Sequence, residues 1–403
     1  MKHRLKPVFF SVTLVFASLL AGGLIAELAL RGLGVSFASF HRPDDRLGLR
    51  LRENAQGQFT SEGFAQVRIN SAGFRDRERI QQKPPGSFRI AILGDSNVEA
   101  LQVDYKDTFS ALLERHLTGC LSLAGRPIEV LNFGVSSYGT AQQLLTFRHV
   151  ARAYSPDLVV SAGFMGNDIR NNSQELETDK VRPFFVVNGD GLAEDNSFAN
   201  SAEFKRRTGR LRVFLDKLRV LRVVQLAYHF KDRVELIAGA SALKPADAVK
   251  STDSDAFEVG LDDEVYSEPK SKAWLDAWVV TERILEAMSK EVAAANAKLL
   301  IMTLSTGIQV HPDPALRRRF FDARGHGDEF YPDRRIETIA SKLNVDSLSL
   351  APQIQRIAER EKTFFHGFSN TRLGTGHLNQ AGHRVVAEIT AEKICRGQTI
   401  PGS

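Results

Sequence analysis

The sequence predicts an α/β fold in which helices cover both faces of a parallel sheet. Short apolar runs alternate with longer stretches of helical periodicity, a pattern that favours strands joined by crossover helices. Polar motifs follow three of these runs, where the carboxyl ends of parallel strands form binding sites. With 43% hydrophobic and 25% charged residues over 403 positions, the composition fits a globular protein of one large domain or two small ones.

Net charge gives little indication of a partner. The formal charge is +5, but four positive charges flank the first apolar segment and one negative charge lies inside it, which leaves +2 for the remainder. So weak an excess gives no reason to propose a nucleic-acid partner.

The chain begins with a segment that is long enough to cross a bilayer. Residues 8–30 are predominantly apolar and carry no charge except that of Glu27, and about 20 such residues span the hydrocarbon core as a helix. Three basic residues precede the segment and should keep the N-terminus in the cytoplasm. We therefore predict a single-pass signal-anchor over residues 1–33, with the rest of the chain exported to the periplasmic side.

Two other interpretations of this segment stay open. Small residues at positions 21–23 are of the kind that signal-peptide processing needs, although the apolar stretch is long for a signal peptide. A buried core helix is the third interpretation, and the length of the stretch disfavours it.

Beyond the anchor we expect a linker or N-terminal extension at 34–87 and a main domain at 88–400 with an insertion at about 171–273. The predicted strands of the main domain are Phe88–Leu93, Glu129–Phe133, Asp157–Phe164 and Lys298–Leu304. The predicted helices are Thr108–Leu117, Thr140–Tyr154 and Gln380–Arg396.

The insertion is predicted to be largely helical. An Asn-Gly-Asp-Gly turn at 188–191 joins two short hairpin strands. From Lys205 to Arg233, basic residues are interleaved with leucines at helical spacing, which predicts a basic amphipathic helix packed on the core. A cap over the site or contact with an anionic surface is the alternative. Residues 242–271 are acidic and poor in aromatic residues, which indicates a mobile loop.

The chain has two cysteines, Cys120 and Cys395, each at the end of a helix-like segment. The two segments could be neighbours in an α/β fold, and an oxidising compartment would let the cysteines form a disulfide. Two separate thiols are the alternative. No Cys/His cluster has the spacing of a zinc site, so no metal site is predicted.

Four residues have the types and positions that ester cleavage requires. Ser96 follows the first predicted strand and opens a helix, where a hydroxyl is exposed and the local amides point outward. As nucleophile it needs a base, for which we nominate His377. The amides of Ser96 and Gly134 and the side chain of Asn167 would form the oxyanion hole.

These motifs together resemble those of the SGNH, or GDSL-like, hydrolase family. The matching strings are ILGDSN at 92–97, NFGVSSYG at 132–139, GFMGND at 163–168 and HLNQAGH at 377–383. The resemblance covers roughly residues 88–398 apart from the insertion. It implies a flavodoxin-like three-layer α/β/α fold and gives Ser96, Gly134, Asn167 and His377 the roles proposed above.

One position departs from the family's pattern. Members usually have an aspartate three residues before the histidine, where this chain has Gly374. Because an acid orients the imidazole and stabilises its charged form, three possibilities stay open: a Ser-His dyad aided by a backbone carbonyl, an acid from elsewhere in the fold, or a weakened catalyst. Asp168 is the nearest motif carboxylate, and we expect it to brace the Asn167 loop; Asp95 is a second supporting residue.

Other hydrolase signatures are absent from the sequence. It contains no Gly-x-Ser-x-Gly elbow, no His-Glu-x-x-His motif and no phosphate-binding glycine loop, so no cofactor is required. We predict an exported, membrane-anchored serine esterase or acylhydrolase that cleaves acyl or acetyl esters of a small molecule, lipid or polysaccharide. The alternatives are an O-acyltransferase that acts on an envelope glycan, and a non-catalytic envelope protein that binds glycan or lipid, which Gly374 favours.

Overall fold

The computed structural model describes residues 5–189, 191–242, 261–325 and 327–396. The helices and strands of these residues, numbered in chain order, are α1 Leu5–Gly32, β1 His41–Asp44, β2 Gly48–Leu51, β3 Gln56–Phe59, β4 Ala65–Arg68, β5 Phe88–Gly94, α2 Ser96–Glu99, α3 Phe109–Leu117, β6 Ile128–Asn132, α4 Thr140–His149, β7 Leu158–Phe164, α5 Asp168–Asn171, β8 Phe184–Asn188, β9 Gly191–Asp195, α6 Ala202–Thr208, α7 Arg210–Leu218, α8 Arg222–Ala242, α9 Lys272–Ala294, β10 Lys298–Leu304, α10 Pro314–Ala323, α11 Tyr331–Lys342, β11 Asp346–Ser349, α12 Ala351–Glu361 and α13 Gln380–Cys395.

A five-stranded parallel sheet forms the centre of the fold, in the order β11-β10-β7-β5-β6. The register places Ile92 of β5 beside Asn132 of β6 and Val160 of β7, so the loops that follow these strands emerge at one edge. The predicted α/β fold with a parallel sheet is confirmed, and each predicted strand is present to within one residue at either end. The sequence does not predict the edge strand β11, whose four residues include two serines and an aspartate.

Helices cover both faces of the sheet, which gives three layers. Alternate residues of β5 enter different cores: Ala91 and Leu93 belong to one, Ile90 and Ile92 to the other. The first core also contains residues of α4, α9, α10 and α11, and the second contains residues of α3, α12 and α13. Because β5, β7 and β10 are buried on both faces, they appear in the sequence as continuous apolar runs.

Residues 34–87, expected to be a linker or extension, fold as two antiparallel hairpins, β1–β2 and β3–β4. Leu51, Val67 and Ile69 of this segment are fully buried in the first core. Each strand has only four residues, which is too short for a clear alternating pattern, so little in the sequence indicates this packing. The segment is therefore part of the folded domain.

The insertion contains the expected hairpin, in which β8 and β9 pair with Asn188 opposite Gly191. The helix predicted over 205–233 is instead the end of α6 followed by α7 and α8, because Gly209 adopts an extended conformation between α6 and α7. The expectation that it packs on the core is wrong for α7, none of whose residues is buried. Of the loop predicted at 242–271, residues 243–260 lie outside the described residues.

Helix α1 is long and apolar enough to cross a membrane. Its apolar stretch, Phe10–Gly32, has a mean hydropathy of 2.0. The large apolar side chains from Phe10 to Leu28 are exposed, although Glu27 is buried where the helix meets the domain. This exposure argues against a buried core helix, whereas an anchor and a signal sequence both agree with it.

A disulfide joins Cys120, just after α3, to Cys395 at the end of α13, with the two Cα atoms 5.5 Å apart. The bond connects two helices that pack side by side in the second core. Because 275 positions separate the two cysteines, the bond ties the first part of the sheet domain to its last helix.

Candidate active site

Ser96 is the first residue of α2, directly after β5. The preceding Asp95 caps this short helix, because its Oδ1 accepts a hydrogen bond of 2.9 Å from the Asn97 amide. Only glycine fits at position 94, where a Cβ would lie 2.2 Å from Val98 Cγ2 and 2.8 Å from the Ala162 carbonyl oxygen. The tight turn leaves Ser96 half-buried at the carboxyl edge of the sheet.

His377 lies next to Ser96 although 281 residues separate them in the sequence. The distance from His377 Nε2 to Ser96 Oγ is 2.8 Å, within hydrogen-bond range. The adjacent Leu378 amide donates to Asn97 Oδ1 at 3.1 Å, which ties the histidine loop to the serine turn. Asn379 then caps α13, because its side-chain oxygen accepts from the Gly382 amide at 3.0 Å. Hydrogen bonds between backbone amides and asparagine side chains therefore hold the loop that carries His377.

The other ring nitrogen of His377 faces a carboxylate that the sequence does not indicate. His377 Nδ1 hydrogen-bonds to Glu62 Oε2, and the His377 amide donates to Glu62 Oε1 at 2.9 Å. Glu62 comes from the turn between β3 and β4, in the extension before the main domain. Ser96, His377 and Glu62 therefore form a continuous hydrogen-bonded series, which is the geometry that a nucleophile, a base and an orienting acid require.

The turn that carries Glu62 is clamped by Asn370. Its Oδ1 accepts from the Gly63 amide at 2.8 Å, and its Nδ2 donates to the carbonyl oxygens of Thr60 at 3.1 Å and Gly63 at 3.2 Å. Gly63 has φ +68°, and a Cβ there would lie 2.5 Å from the Gln102 carbonyl oxygen. The glycine conformation and the Asn370 clamp together fix the direction in which Glu62 points.

The structure also accounts for the absence of an acid at position 374. Gly374 has φ +83°, and a Cβ would lie 2.7 Å from Cδ2 of His311. An aspartate there would be strained and crowded. The space beside His377 Nδ1 is filled by Glu62 instead.

Electrostatic interactions favour an ionised Glu62. Burial raises the pKa of Glu62, but the hydrogen bonds and charge of His377 outweigh it, so the pKa lies below the usual 4.5. Beneath this pair, burial lowers the pKa of His366 to about 4. His366 is thus neutral, donates from Nδ1 to the Gly376 carbonyl oxygen at 2.8 Å and accepts from Ser305 Oγ at 3.0 Å, which supports the backbone next to His377.

The three predicted oxyanion donors lie at the same sheet edge but differ in their present partners. Among the described residues, neither the Ser96 amide nor the Asn167 side-chain nitrogen has a hydrogen-bond acceptor, and Asn167 Oδ1 accepts from Asn171 Nδ2 at 3.4 Å. The Gly134 amide already donates to Asn132 Oδ1 at 2.9 Å. Gly134 lies against α2, since a Cβ there would be 2.5 Å from the Glu99 nitrogen.

Asp95 and Asp168 are both fully buried behind these loops. Burial raises the pKa of Asp95 to about 6, and burial together with the nearby Asp95 charge raises the pKa of Asp168 well above its usual value. Asp168 Oδ2 accepts from the Phe164 amide at 3.2 Å and from Gln143 Nε2 at 3.4 Å. Asp168 therefore holds the start of the Asn167 turn and makes no bond to His377.

A second polar cluster, which the sequence does not indicate either, supports the Gly134 loop. Glu99 is fully buried; its Oε1 lies 2.6 Å from His41 Nε2, and its Oε2 accepts from the Ser136 amide at 3.1 Å and from the Ser136 hydroxyl. His41 begins β1, so this cluster attaches the extension to the loop after β6. No motif spacing connects positions 41, 99 and 136.

A polar cavity of about 290 Å³ opens beside Asn167 and Ser136. Its polar lining includes Tyr138, Arg170, Asp179 and Arg182. Arg182 is paired with Glu177 at 2.8 Å, and Arg170 with Asp262 at 3.1 Å. The cavity presents hydrogen-bonding groups with little unpaired charge.

Comparisons with known proteins give neither a family nor a curated relative: no protein-family model and no curated protein matches the chain. Solved structures do match. A variant of Axe2, an acetyl-xylooligosaccharide esterase from Geobacillus stearothermophilus, has 11% identity and a TM-score of 0.38, covering 78% of this chain and 96% of its own. LAE5, an alpha/beta hydrolase enzyme from the metagenome of Lake Arreo, Spain, has 13% identity and a TM-score of 0.37 over 79% and 98% of the two chains. The acetyl xylan esterase AlAXEase has 13% identity and a TM-score of 0.38 over 76% and 100%. Likeness at this level adds nothing to the geometry described above.

Proposed function

We propose that this protein is an exported, membrane-anchored serine ester hydrolase of the SGNH type. The observation that carries the proposal is the hydrogen-bonded series from Ser96 Oγ through His377 to Glu62. A serine hydroxyl becomes an effective nucleophile when a base takes its proton and a third group orients that base. The missing acid at Gly374 no longer favours a non-catalytic protein, because Glu62 occupies the acid's place beside His377.

In the acylation step, Ser96 Oγ attacks the ester carbonyl carbon while His377 Nε2 takes the hydroxyl proton. The carbonyl π electrons move to oxygen, and the resulting negative charge is stabilised by the Ser96 amide and the Asn167 side chain, with Gly134 as a third donor if its amide leaves Asn132. Glu62 stabilises the imidazolium that forms. The tetrahedral intermediate then collapses, and His377 gives its proton to the departing alcohol.

In the second step, a water molecule attacks the acyl group on Ser96. His377 removes a proton from this water and returns it to Ser96 Oγ as the carboxylic acid leaves. The same residues therefore act in both steps.

The location and the cavity support an ester-bearing molecule of the cell envelope as substrate. Helix α1 can serve as an anchor, and the Cys120–Cys395 disulfide is of a kind that persists in oxidising compartments. The cavity beside Asn167 offers hydroxyl, amide and guanidinium groups, which suits the hydroxyl-rich part of an acylated carbohydrate or a lipid head group.

The test measures hydrolysis of p-nitrophenyl acetate and labelling by a fluorophosphonate probe with the full chain in detergent. Ser96→Ala and His377→Ala should each lower kcat by about 10⁴-fold or more, and peptide mapping should place the label on Ser96. His116→Ala, which removes an exposed histidine of α3, should behave as the wild type. A folded wild type that neither labels nor hydrolyses would overturn the proposal, and so would a Ser96→Ala variant that keeps its activity.

A further inference from the structure

The apolar residues of α7 point away from the domain. Leu211, Phe214 and Leu218 follow one another at helical spacing, yet they are 71%, 58% and 36% exposed. An amphipathic helix of a soluble domain normally turns this face to the core. In α7 the apolar face has no cover from the described part of the chain.

The polar side of α7 holds it to the domain. Asp216 accepts two hydrogen bonds from Arg52, at 2.6 Å from Nη1 and 3.0 Å from Nη2. At 100° per residue, Asp216 lies roughly opposite Leu211 and Leu218 on the helix. The bidentate bond therefore fixes the helix with its apolar face outward.

Basic residues border this apolar face. Arg210, Arg212 and Lys217 are exposed, and at 100° per residue they lie on either flank of the Leu211–Leu218 stripe. None of the three has an acidic partner among the described residues, and the acid of α7, Asp216, pairs with Arg52. An apolar stripe with cationic flanks is typical of helices that lie in the interface of an anionic membrane.

The start of α8, four residues after the end of α7, meets the end of α1. Glu27 Oε2 accepts from the Val223 amide at 3.0 Å, and Arg222 Nη1 donates to the carbonyl oxygens of Leu30 and Val35, both at 3.0 Å. Val220, in the connection between α7 and α8, is 69% exposed. If α1 spans the bilayer from residue 8, about 20 residues bring the chain to Glu27, so the α7–α8 connection lies where α1 leaves the hydrocarbon core.

We propose that α7 and the α7–α8 connection lie in the membrane interface beside α1, with Leu211, Phe214, Leu218 and Val220 inserted among anionic lipids. The proposal rests on α1 being a membrane anchor and is independent of the ester chemistry. Arg31 at the end of α1 donates to the Val220 carbonyl oxygen at 3.5 Å, which places the α7–α8 connection beside the anchor, and the flanking cations of α7 match lipid phosphates. The domain would then be held at two points and in one orientation to the bilayer.

The experiment places a single added tryptophan on this surface. Full-chain Phe214→Trp is reconstituted in phosphatidylcholine vesicles containing phosphatidylglycerol, with and without lipids brominated near the head group. Quenching of the added tryptophan should be roughly twofold or more, because an interfacial helix buries its apolar face about 5–10 Å deep. The wild-type Trp274 and Trp278 are buried and give the background, and Leu121→Trp, at a site 92% exposed beyond α3, is the matched control without quenching.

Each other outcome contradicts the proposal in a distinguishable way. If the protein floats with the vesicles but Phe214→Trp is quenched no more than Leu121→Trp, the anchor stands and the interfacial docking fails. If the tryptophan emission of Phe214→Trp shifts to the blue without being quenched, a second copy or another protein surface covers α7. If the protein does not float with the vesicles, α1 is not an anchor and the interfacial docking of α7 is also wrong. Hydrolysis measured in the same samples tests the ester chemistry separately.

Discussion

Glu62 is the residue on which the proposed mechanism depends most after the Ser96–His377 pair. Both of its carboxylate oxygens contact His377, one at the ring Nδ1 and the other at the backbone amide. The first contact selects the ring tautomer that leaves Nε2 free to accept the Ser96 proton, and the second holds the residue that carries the ring. Because its pKa is lowered by His377, Glu62 supplies a negative charge throughout the neutral pH range.

The first prediction concerns this carboxylate. Glu62→Gln keeps the size of the side chain but removes the charge that stabilises the imidazolium of His377, so kcat for p-nitrophenyl acetate should fall by about 10³–10⁴-fold with little change in KM. Glu53→Gln is the matched control, because Glu53 belongs to the same extension but pairs with Arg42 at 2.8 Å. If Glu62→Gln retains the wild-type kcat, the protein works as a Ser-His dyad and the acid has no catalytic part.

Among the site residues, Glu62 is also the one that the sequence indicates least. It lies 315 residues from His377 in the chain, in a segment with no motif. The candidate nucleophile, base and oxyanion residues can be nominated because each follows a recognisable strand or opens a helix. An acid that reaches the site from a short hairpin leaves no such pattern, so the sequence alone keeps its origin open.

At the scale of elements, buried polar contacts bind the extension to the loops of the candidate site. The Glu99 carboxylate hydrogen-bonds to His41 of β1 through one oxygen and to Ser136 of the loop after β6 through the other. Burial lowers the pKa of His41, but the charge and hydrogen bond of Glu99 outweigh it and the pKa lies above the usual 6.5. Protonated His41 is therefore favoured in the folded protein.

This contact predicts a pH-dependent stability. A histidine whose pKa is raised on folding contributes stability that is fully present below the unfolded pKa of 6.5 and is lost as the pH rises through the folded value. His41→Gln should therefore lower Tm by about 2–4 °C near pH 6 and by less near pH 9. His116→Gln on the exposed side of α3 controls for histidine loss as such. Equal Tm differences at both pH values would show that the Glu99 pair is not charged.

The elements themselves differ in how far the sequence predicts them. The buried strands β5, β7 and β10 have seven residues each, and long apolar runs bounded by polar turns predict such strands to within one residue. Of the hairpins of the extension, the sequence indicates only a short strand around residues 67–69, because a four-residue strand shows at most two alternations. The amphipathic pattern over 205–233 correctly indicates helix, but Gly209 divides it, and the pattern alone does not say whether an apolar face meets a core or a membrane.

At the scale of the whole molecule, polar contacts connect the end of α1 to the turn that carries Glu62. The Ser36 hydroxyl lies 2.8 Å from Gln225 Oε1 of α8 and 3.0 Å from the Gln56 carbonyl oxygen of β3. The Ser36 carbonyl oxygen accepts from the Gln58 amide at 2.8 Å. The strand that leads to Glu62 is thus bonded to the segment that leaves the anchor, and that segment is bonded to α8.

This connection predicts that a residue far from the chemistry sets the position of the acid. Gln225→Ala removes the acceptor of both the Ser36 hydroxyl and the Phe37 amide, which Gln225 Oε1 holds at 2.8 Å and 3.0 Å. The Ser36 hydroxyl then keeps only the Gln56 carbonyl oxygen, and the Phe37 amide loses its acceptor, which costs about 1–3 kcal/mol for a buried donor. The hairpin can relieve this cost by shifting. We expect kcat to fall about three- to tenfold with KM unchanged, because loosening a positioning contact acts through the orientation of His377.

The double variant with Glu62→Gln separates this effect from general destabilisation. If Gln225 acts through Glu62, adding Gln225→Ala to Glu62→Gln should lower kcat no further, since the acid it positions is already absent. Gln174→Ala is the matched control in the same insertion, because this side chain is exposed and, among the described residues, bonds only to Asp195. If the two substitutions lower kcat additively in the double variant, Gln225 does not act through Glu62. The anchor and the site would then be connected only through the stability of the fold.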